Sequence, residues 1–365
     1  MRYKKFFVLG FFLLIILDVL LTKTYQSILS FLREDNNFMI KNEIYHHELK
    51  KDYNSNNSNS DKIFTDKNGL IKLEQSDVDY SNYKNNYVFL GDSFTQGSGV
   101  NYDQSFAGIL SQKFLNKGIN IINLSAVSYS PAIYYKKTEF FINNKGLKFS
   151  KMFLFLDVSD PYDELYRYEL KDGVVLDRKK EKNYLTEKLD LDFLYNFKKL
   201  IYNNTTIIYL SLNTINKFII SKSKKEKEFE KKYGFIINHQ TNLWTHDSDY
   251  FEQEGKKGIS LSKQHLHNLK KILDKQNVEL TIIVYPWPGQ IYRNEVSSLH
   301  VEIWKDWTFK NDIKFINLFP IFFEEKERSV NDRLKFIDKI YLPKDMHFNV
   351  LGHQLVADYL WKRID

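Results

Sequence analysis

The chain holds no cysteine, which excludes a thiol nucleophile, a disulfide framework and any thiolate-ligated metal site. The compartment stays open, because a cysteine-free chain tolerates either redox environment. A large charge of one sign is also missing. The 53 Lys+Arg against 46 Asp+Glu leave only +7, and clusters such as "KSKKEKEFEKK" (Lys222–Lys232) mix both signs. Such a run reads as a solvated helix face, and with no DNA- or RNA-binding motif beside it no nucleic-acid partner is expected. Three catalytic signatures are absent as well: the Gly-x-Ser-x-Gly elbow, the Walker A loop and His-Glu-x-x-His. No cofactor motif and no internal repeat replaces them. Wholesale disorder is excluded too, since 43% hydrophobic and 27% charged residues are globular values.

What is present begins with a basic "MRYKK" and the apolar "FFVLGFFLLIILDVLL" (Phe6–Leu21), broken only by Asp18. Extended to about Tyr25 the run reaches the roughly 20 residues that a spanning helix needs. "TKTYQS" follows without a small-x-small cleavage site, so residues 1–25 are expected to be an uncleaved signal anchor. The alternatives are a cleaved signal peptide and a buried helix of a soluble domain. Arg2, Lys4 and Lys5 would keep the start cytoplasmic and place the remainder outside, in the periplasm or at the cell surface. Residues 26–85 read as a stalk that includes the polar "DYNSNNSNSD" (Asp52–Asp61).

From 86 to 365 strand-like and helix-like segments alternate. The strands are "YVFL" (87–90), "INIINLS" (Ile119–Ser125), "KMFLFLD" (Lys151–Asp157), "VELTIIVYP" (Val278–Pro286) and "IKFINL" (Ile313–Leu318). That alternation predicts an α/β fold, a three-layer α/β/α sandwich with a mostly parallel sheet of flavodoxin-like kind. Its reactive groups should gather at the carboxyl ends of the strands. An insertion at about 162–258 interrupts the pattern. It reads as a helical layer or lid, or alternatively as a segment lying on the membrane face.

The stretch "YVFLGDSFTQGSGV" (Tyr87–Val100) sets the chemical question, because Ser93 stands where the first strand breaks into a Gly-bounded turn. A turn serine is commonly a turn former and nothing more. As a nucleophile it needs a base to take its proton. Of nine histidines, His347 in "LPKDMHFNVLGHQL" (Leu342–Leu355) is the best placed, with Asp345 two residues upstream to fix its tautomer. A metal reading of this pair lacks a third clustered ligand, so no metal is expected. His353 reads as structural, and His46, His47, His265 and His267 as surface residues without an acid at comparable spacing.

These blocks, in this order, resemble the SGNH/GDSL hydrolase family. "FLGDSFTQGSGV" matches its first block with Ser93 in the nucleophile's position. In "NLSAVSYSP" (Asn123–Pro131) Ser128 occupies the place of the oxyanion glycine, and in "DVSDPYDE" (Asp157–Glu164) Ser159 that of the oxyanion asparagine. The family's last block spaces Asp three residues before His, whereas here the spacing is two. That form, and "VYPWPGQI" (Val284–Ile291), look like a membrane-anchored branch associated with surface-polysaccharide O-acetylation. The resemblance implies a serine esterase or O-acetyltransferase acting through an acyl-serine on acyl esters, acetyl above all, of a cell-envelope glycan or a small ester. Water or a sugar hydroxyl would release the acyl group. Trp287 and Tyr129 are candidates for stacking on sugar faces or for plain packing. The substitutions at Ser128 and Ser159 keep a second expectation open, a catalytically impaired protein of this fold that binds or assembles glycan. The sequence carries no sign of oligomeric state.

Overall fold

The computed structural model describes residues 13–27, 38–55, 62–74, 79–178, 204, 205, 208, 211, 224–330 and 332–364. The chain divides into two compact units, Met1–Asn37 with Glu181–Phe229, and Phe38–Lys180 with Glu230–Asp365.

In the first unit residues 13–27 form a helix. Its leucines are exposed while Asp18 and Thr22 are buried, and Asp18 Oδ2 accepts the Ile208 N–H at 3.0 Å. Among the described residues no helix is long and apolar enough to cross a membrane. The expected anchor lies partly outside the described residues, which leave out 1–12, and so does most of the 179–223 part of the insertion.

The second unit is built on a seven-stranded sheet. Along the chain come the hairpin β1 (Met39–Asn42) and β2 (His46–Leu49), then β3 (Phe64–Thr65), β4 (Ile71–Lys72) and β5 (Asn86–Leu90). Next follow α1 (Ser93–Gln96), α2 (Phe106–Leu115), β6 (Asn120–Asn123), α3 (Pro131–Lys145), β7 (Lys151–Leu156) and α4 (Asp160–Tyr166). A second hairpin, β8 (Tyr168–Lys171) with β9 (Val174–Asp177), precedes α5 (Lys256–Lys275), β10 (Glu279–Val284) and α6 (Pro288–Arg293). The last elements are α7 (Leu299–Lys310), β11 (Lys314–Asn317), α8 (Phe319–Ser329), α9 (Arg333–Ile340) and α10 (Val350–Trp361).

The sheet order is β11-β10-β7-β5-β6-β4-β3. The five strands expected from the apolar runs are parallel to their neighbours, and β4 and β3 extend the edge antiparallel. The central strands are apolar without alternation because both faces are covered. Val88, Phe89, Leu90, Leu154, Ile282 and Ile283 are fully buried, each worth roughly 1.5–3 kcal/mol against exposure. From β5 the chain steps one way to β6, then back across β5 to β7 and on to β10 and β11. Right-handed crossovers put α2 on one face and α3, α5 and α7 on the other. The direction of winding reverses beside β5, and in such sheets the crevice for a ligand opens there, past the strand ends.

Two expectations need correction. The stalk does not extend to residue 85, because Tyr45, Leu49, Ile63, Leu70 and Ile71 are buried and β3 and β4 belong to the main sheet. Short strands rich in polar residues hid this. The insertion is not a single helical layer either. It opens with the β8–β9 hairpin, whose backbone pairs from Tyr168↔Asp177 to Lys171↔Val174. Its last part, from Glu230, returns to the second unit.

Candidate active site

Strand β5 ends at Leu90, and the chain turns at Gly91, where a Cβ would lie 2.3 Å from Thr95 Oγ1. Asp92 then caps α1, its Oδ1 accepting the Phe94 N–H at 3.0 Å, and Gly97 stops the helix in the left-handed region at φ 90°. Ser93 is thereby the first residue of a four-residue helix at the switch point of the sheet.

The loop before α10 faces it. Asn349 pins this loop, its Oδ1 accepting from Leu351 and Gly352 and its Nδ2 donating to the Lys339 and Tyr341 carbonyls. Leu342 closes the turn through its N–H to the His347 carbonyl at 2.9 Å. It also seats on Gly99, where a Cβ would fall 2.1 Å from Leu342 Cδ1. The nucleophile loop and the histidine loop are therefore docked on each other by a glycine.

Across this contact Ser93 Oγ lies 2.7 Å from His347 Nε2, and His347 Nδ1 lies 2.5 Å from Asp345 Oδ1. Asp345 also accepts the His347 backbone N–H at 3.0 Å. Burial pushes the Asp345 carboxyl up, but its hydrogen bonds with His347 and that ring's charge outweigh it, and the net shift is downward. An ionised Asp345 can only accept, so Nδ1 carries the proton and Nε2 is free to take the one on Ser93. Asp92 Oδ2 is a more distant partner of Ser93 at 3.3 Å. Burial, and then Asp157, hold its own carboxyl well above the usual range.

Ser128 and Ser159, expected as oxyanion residues, meet different fates. Ser128 has φ 60°, the left-handed conformation that glycine adopts most readily. The loop over-determines that geometry: Gln96 Oε1 accepts the Val127 N–H at 2.9 Å, His47 Nε2 donates to the Val127 carbonyl at 2.8 Å, and Asn123 Nδ2 donates to the Thr95 carbonyl at 2.9 Å. The N–H groups of Ser93 and Ser128 have no protein acceptor among the described residues. Ser159 is turned away. Its hydroxyl and its N–H both donate to Asp157 Oδ1, at 2.6 and 2.7 Å. A hydroxyl has one proton, and a buried carboxylate holds it more firmly than an empty site can.

Asp157, at the end of β7, was not singled out in the sequence. Its Oδ2 accepts from Tyr285 Oη at 2.9 Å and Trp287 Nε1 at 2.7 Å, so it ties the Ser159 turn to the "VYPWPGQI" segment. Its place just past a strand end at the reversal of winding was the available signal. Trp287 and Tyr129 are packing residues here, with exposures of 2% and 0%, and offer no face to a sugar. His353 is structural, its Nδ1 accepting the Phe106 N–H at 3.2 Å. His265 is buried and not on a surface, with Nε2 3.3 Å from Glu164 Oε2. His46 and His47 are half-buried, and His46 Nε2 meets the exposed Asp177 Oδ1 at 3.1 Å. Among the described residues no cluster of side chains could hold a metal ion.

No protein-family model matches the chain, and no curated protein matches it. Among solved structures it is similar to the acetyl xylan esterase AlAXEase at 14% identity and a TM-score of 0.42, covering 77% of this chain and all of that one. It is similar to the psychrotrophic esterase EstA from Pseudoalteromonas sp. at 10% identity and 0.37, over 77% and 96% of the two chains. A catalytic mutant of Axe2, an acetylxylan esterase from Geobacillus stearothermophilus, aligns at 7% identity and 0.40, over 77% and 94%.

Proposed function

We propose that this chain is an SGNH-type serine esterase or O-acyltransferase, working on acyl esters of a glycan or of a small molecule. The observation that carries it is the continuous relay from Asp345 through His347 to Ser93 Oγ. His347 Nε2 takes the Ser93 proton as Oγ attacks the ester carbonyl carbon. The tetrahedral oxygen is received by the N–H groups of Ser93 and Ser128. Collapse breaks the bond to the leaving alkoxide, which takes the proton back from Nε2 and departs, leaving an acyl-serine. Water or a saccharide hydroxyl, deprotonated by the same Nε2, then releases the acyl group.

The test uses the full-length chain in detergent, with p-nitrophenyl acetate and an acetylated oligosaccharide as substrates. Wild type should release acetate or pass it to a sugar acceptor, and Ser93→Ala should lower the rate by about 10⁴-fold or more. Equal inactivity of both proteins on both substrates sinks the proposal. The alternative, a glycan-binding protein with an impaired site, is favoured by one observation, the commitment of the Ser159 hydroxyl to Asp157.

We also read the chain as membrane-anchored, with the relay on the extracytoplasmic side. The polarity of helix 13–27 supports this. Leu13, Leu14, Ile16, Leu17, Leu20 and Leu21 are each more than half exposed, whereas Asp18 is 3% and Thr22 2% exposed. Over residues 13–22 the polar side chains are inside and the leucines outside, which is wrong for water and right for lipid, and Lys23, Thr24, Gln26 and Ser27 beyond them are exposed.

A further inference from the structure

Resting on that reading of the site, a cation at its rim says which esters it takes. Arg167 follows α4, and its side chain folds back along the helix so that Nε lies 3.0 Å from Asp163 Oδ1. Its Nη1 reaches Ser128 Oγ at 3.3 Å, on the loop that also offers the oxyanion N–H. The guanidinium has five N–H donors in a planar fork. Asp163 and Ser128 are its only side-chain partners among the described residues. The Arg167 side chain is 43% exposed against 2% for Asp163, so solvent reaches the guanidinium.

The charge of that guanidinium is poorly balanced. Burial pushes the Asp163 carboxyl up to about 8, and the pull of Arg167 in the other direction is the smaller effect. Burial therefore weakens Asp163 as a counter-charge for the cation. The surrounding elements do not supply the missing anion. From β9, Asp177 is already paired with His46. Arg178 is bound to the Tyr168 and Glu164 carbonyls. From the far edge His239, whose ring stands 6.1 Å from that of Trp287, is kept neutral by burial first and by Arg167 second.

We propose that Arg167 is the specificity residue of this site, and that its guanidinium receives a carboxylate carried by the substrate beside the ester. The substrate class is then an O-acylated saccharide that contains a uronic acid with its carboxylate free, in preference to a neutral one. A planar carboxylate matches two parallel N–H groups of the fork, and this contact serves ground state and transition state alike. It should act mainly through KM.

The experiment compares kcat/KM on acetylated glucuronic-acid and acetylated neutral glucose oligosaccharides for the full-length chain and for Arg167→Gln, Arg167→Lys and Ser128→Ala. The acidic-to-neutral ratio should favour the acidic ester in wild type and fall by about 10- to 100-fold in Arg167→Gln, the range of one charge-assisted hydrogen bond. Arg167→Lys should recover part of it, and Ser128→Ala, which removes only the contact that a purely structural arginine would serve, should keep it. Raising the salt should shrink the ratio, because the contact is half open to solvent. A ratio that Arg167→Gln leaves in place overturns the proposal. Calorimetry of unesterified glucuronic-acid oligosaccharide on the Ser93→Ala variant reads the same contact without turnover. Binding weakened by Arg167→Gln upholds the inference even where no ester is cleaved, and absent or Arg167-independent binding overturns it.

Discussion

Ser159 and Asp157 show how a single carboxylate redistributes roles in this site. In a pocket that held an asparagine at position 159, the amide would add a third donor to the oxyanion. Here the Ser159 hydroxyl is held by Asp157, which also accepts from Tyr285 and Trp287. Removing a true oxyanion donor slows such enzymes by about 100- to 1000-fold. Ser159→Ala is therefore expected to lower kcat less than about tenfold, with KM moving little, when measured on p-nitrophenyl acetate. A loss of 100-fold or more would mean that the hydroxyl swings to the oxyanion during the reaction. The positions of Ser93, His347 and Asp345 were legible in the sequence because each lies in a local pattern: a strand ending in a glycine turn, and an acid two residues from a histidine. Asp157 and Arg167 were not, because their roles come from partners remote in sequence. Trp287 is 130 residues from Asp157, and Ser128 is 39 from Arg167.

At the scale of elements, the turn that bears Ser159 and the helix that Arg167 follows are set by one close approach. A Cβ at Gly258 in α5 would lie 2.1 Å from the Pro161 carbonyl oxygen and 2.8 Å from its carbon. These are backbone atoms at the start of α4, so the neighbour cannot rotate out of the way. Gly258→Ala should push α4 outward, lower stability by about 1–3 kcal/mol as overpacking does, and reduce activity by displacing the backbone around the site. Thermal unfolding and kcat/KM measured on the same preparation check this. A variant that matches wild type in both would show that the two helices are not held in register here. Some helices carry clear local signals in the sequence. Pro131 opens α3, Gly146 closes it at φ 67°, and Asn349 caps α10. The two hairpins do not, since strands of four residues such as "HHEL" and "YELK" carry too few side chains for a period of two to stand out. Their register is fixed by backbone pairing and by contacts such as His47 with Val127.

At the scale of the whole molecule, the absence of cysteine turns from an exclusion into a tool, because any thiol introduced is the only one in the protein. The proposed anchoring requires the exposed leucines of helix 13–27 to face lipid and the relay to face the extracytoplasmic side. Leu17 is 52% exposed, and Phe309, at the end of α7 in the second unit, is 86% exposed. Both substitutions replace side chains that support no core, so Leu17→Cys and Phe309→Cys should fold as wild type does. A thiol reacts with a maleimide as the thiolate, which needs water around it. In intact cells a membrane-impermeant maleimide is expected to label Phe309→Cys fully and Leu17→Cys hardly at all. After the membrane is dissolved and the chain unfolded, both should label equally. Rapid labelling of Leu17→Cys in intact membranes would put that face in water, and the inverted polarity of the helix would then need a protein partner. Labelling of Phe309→Cys only after the cells are broken would place the relay in the cytoplasm, whatever the helix does. The two outcomes are independent, because the described residues on which they rest belong to separate units of the chain.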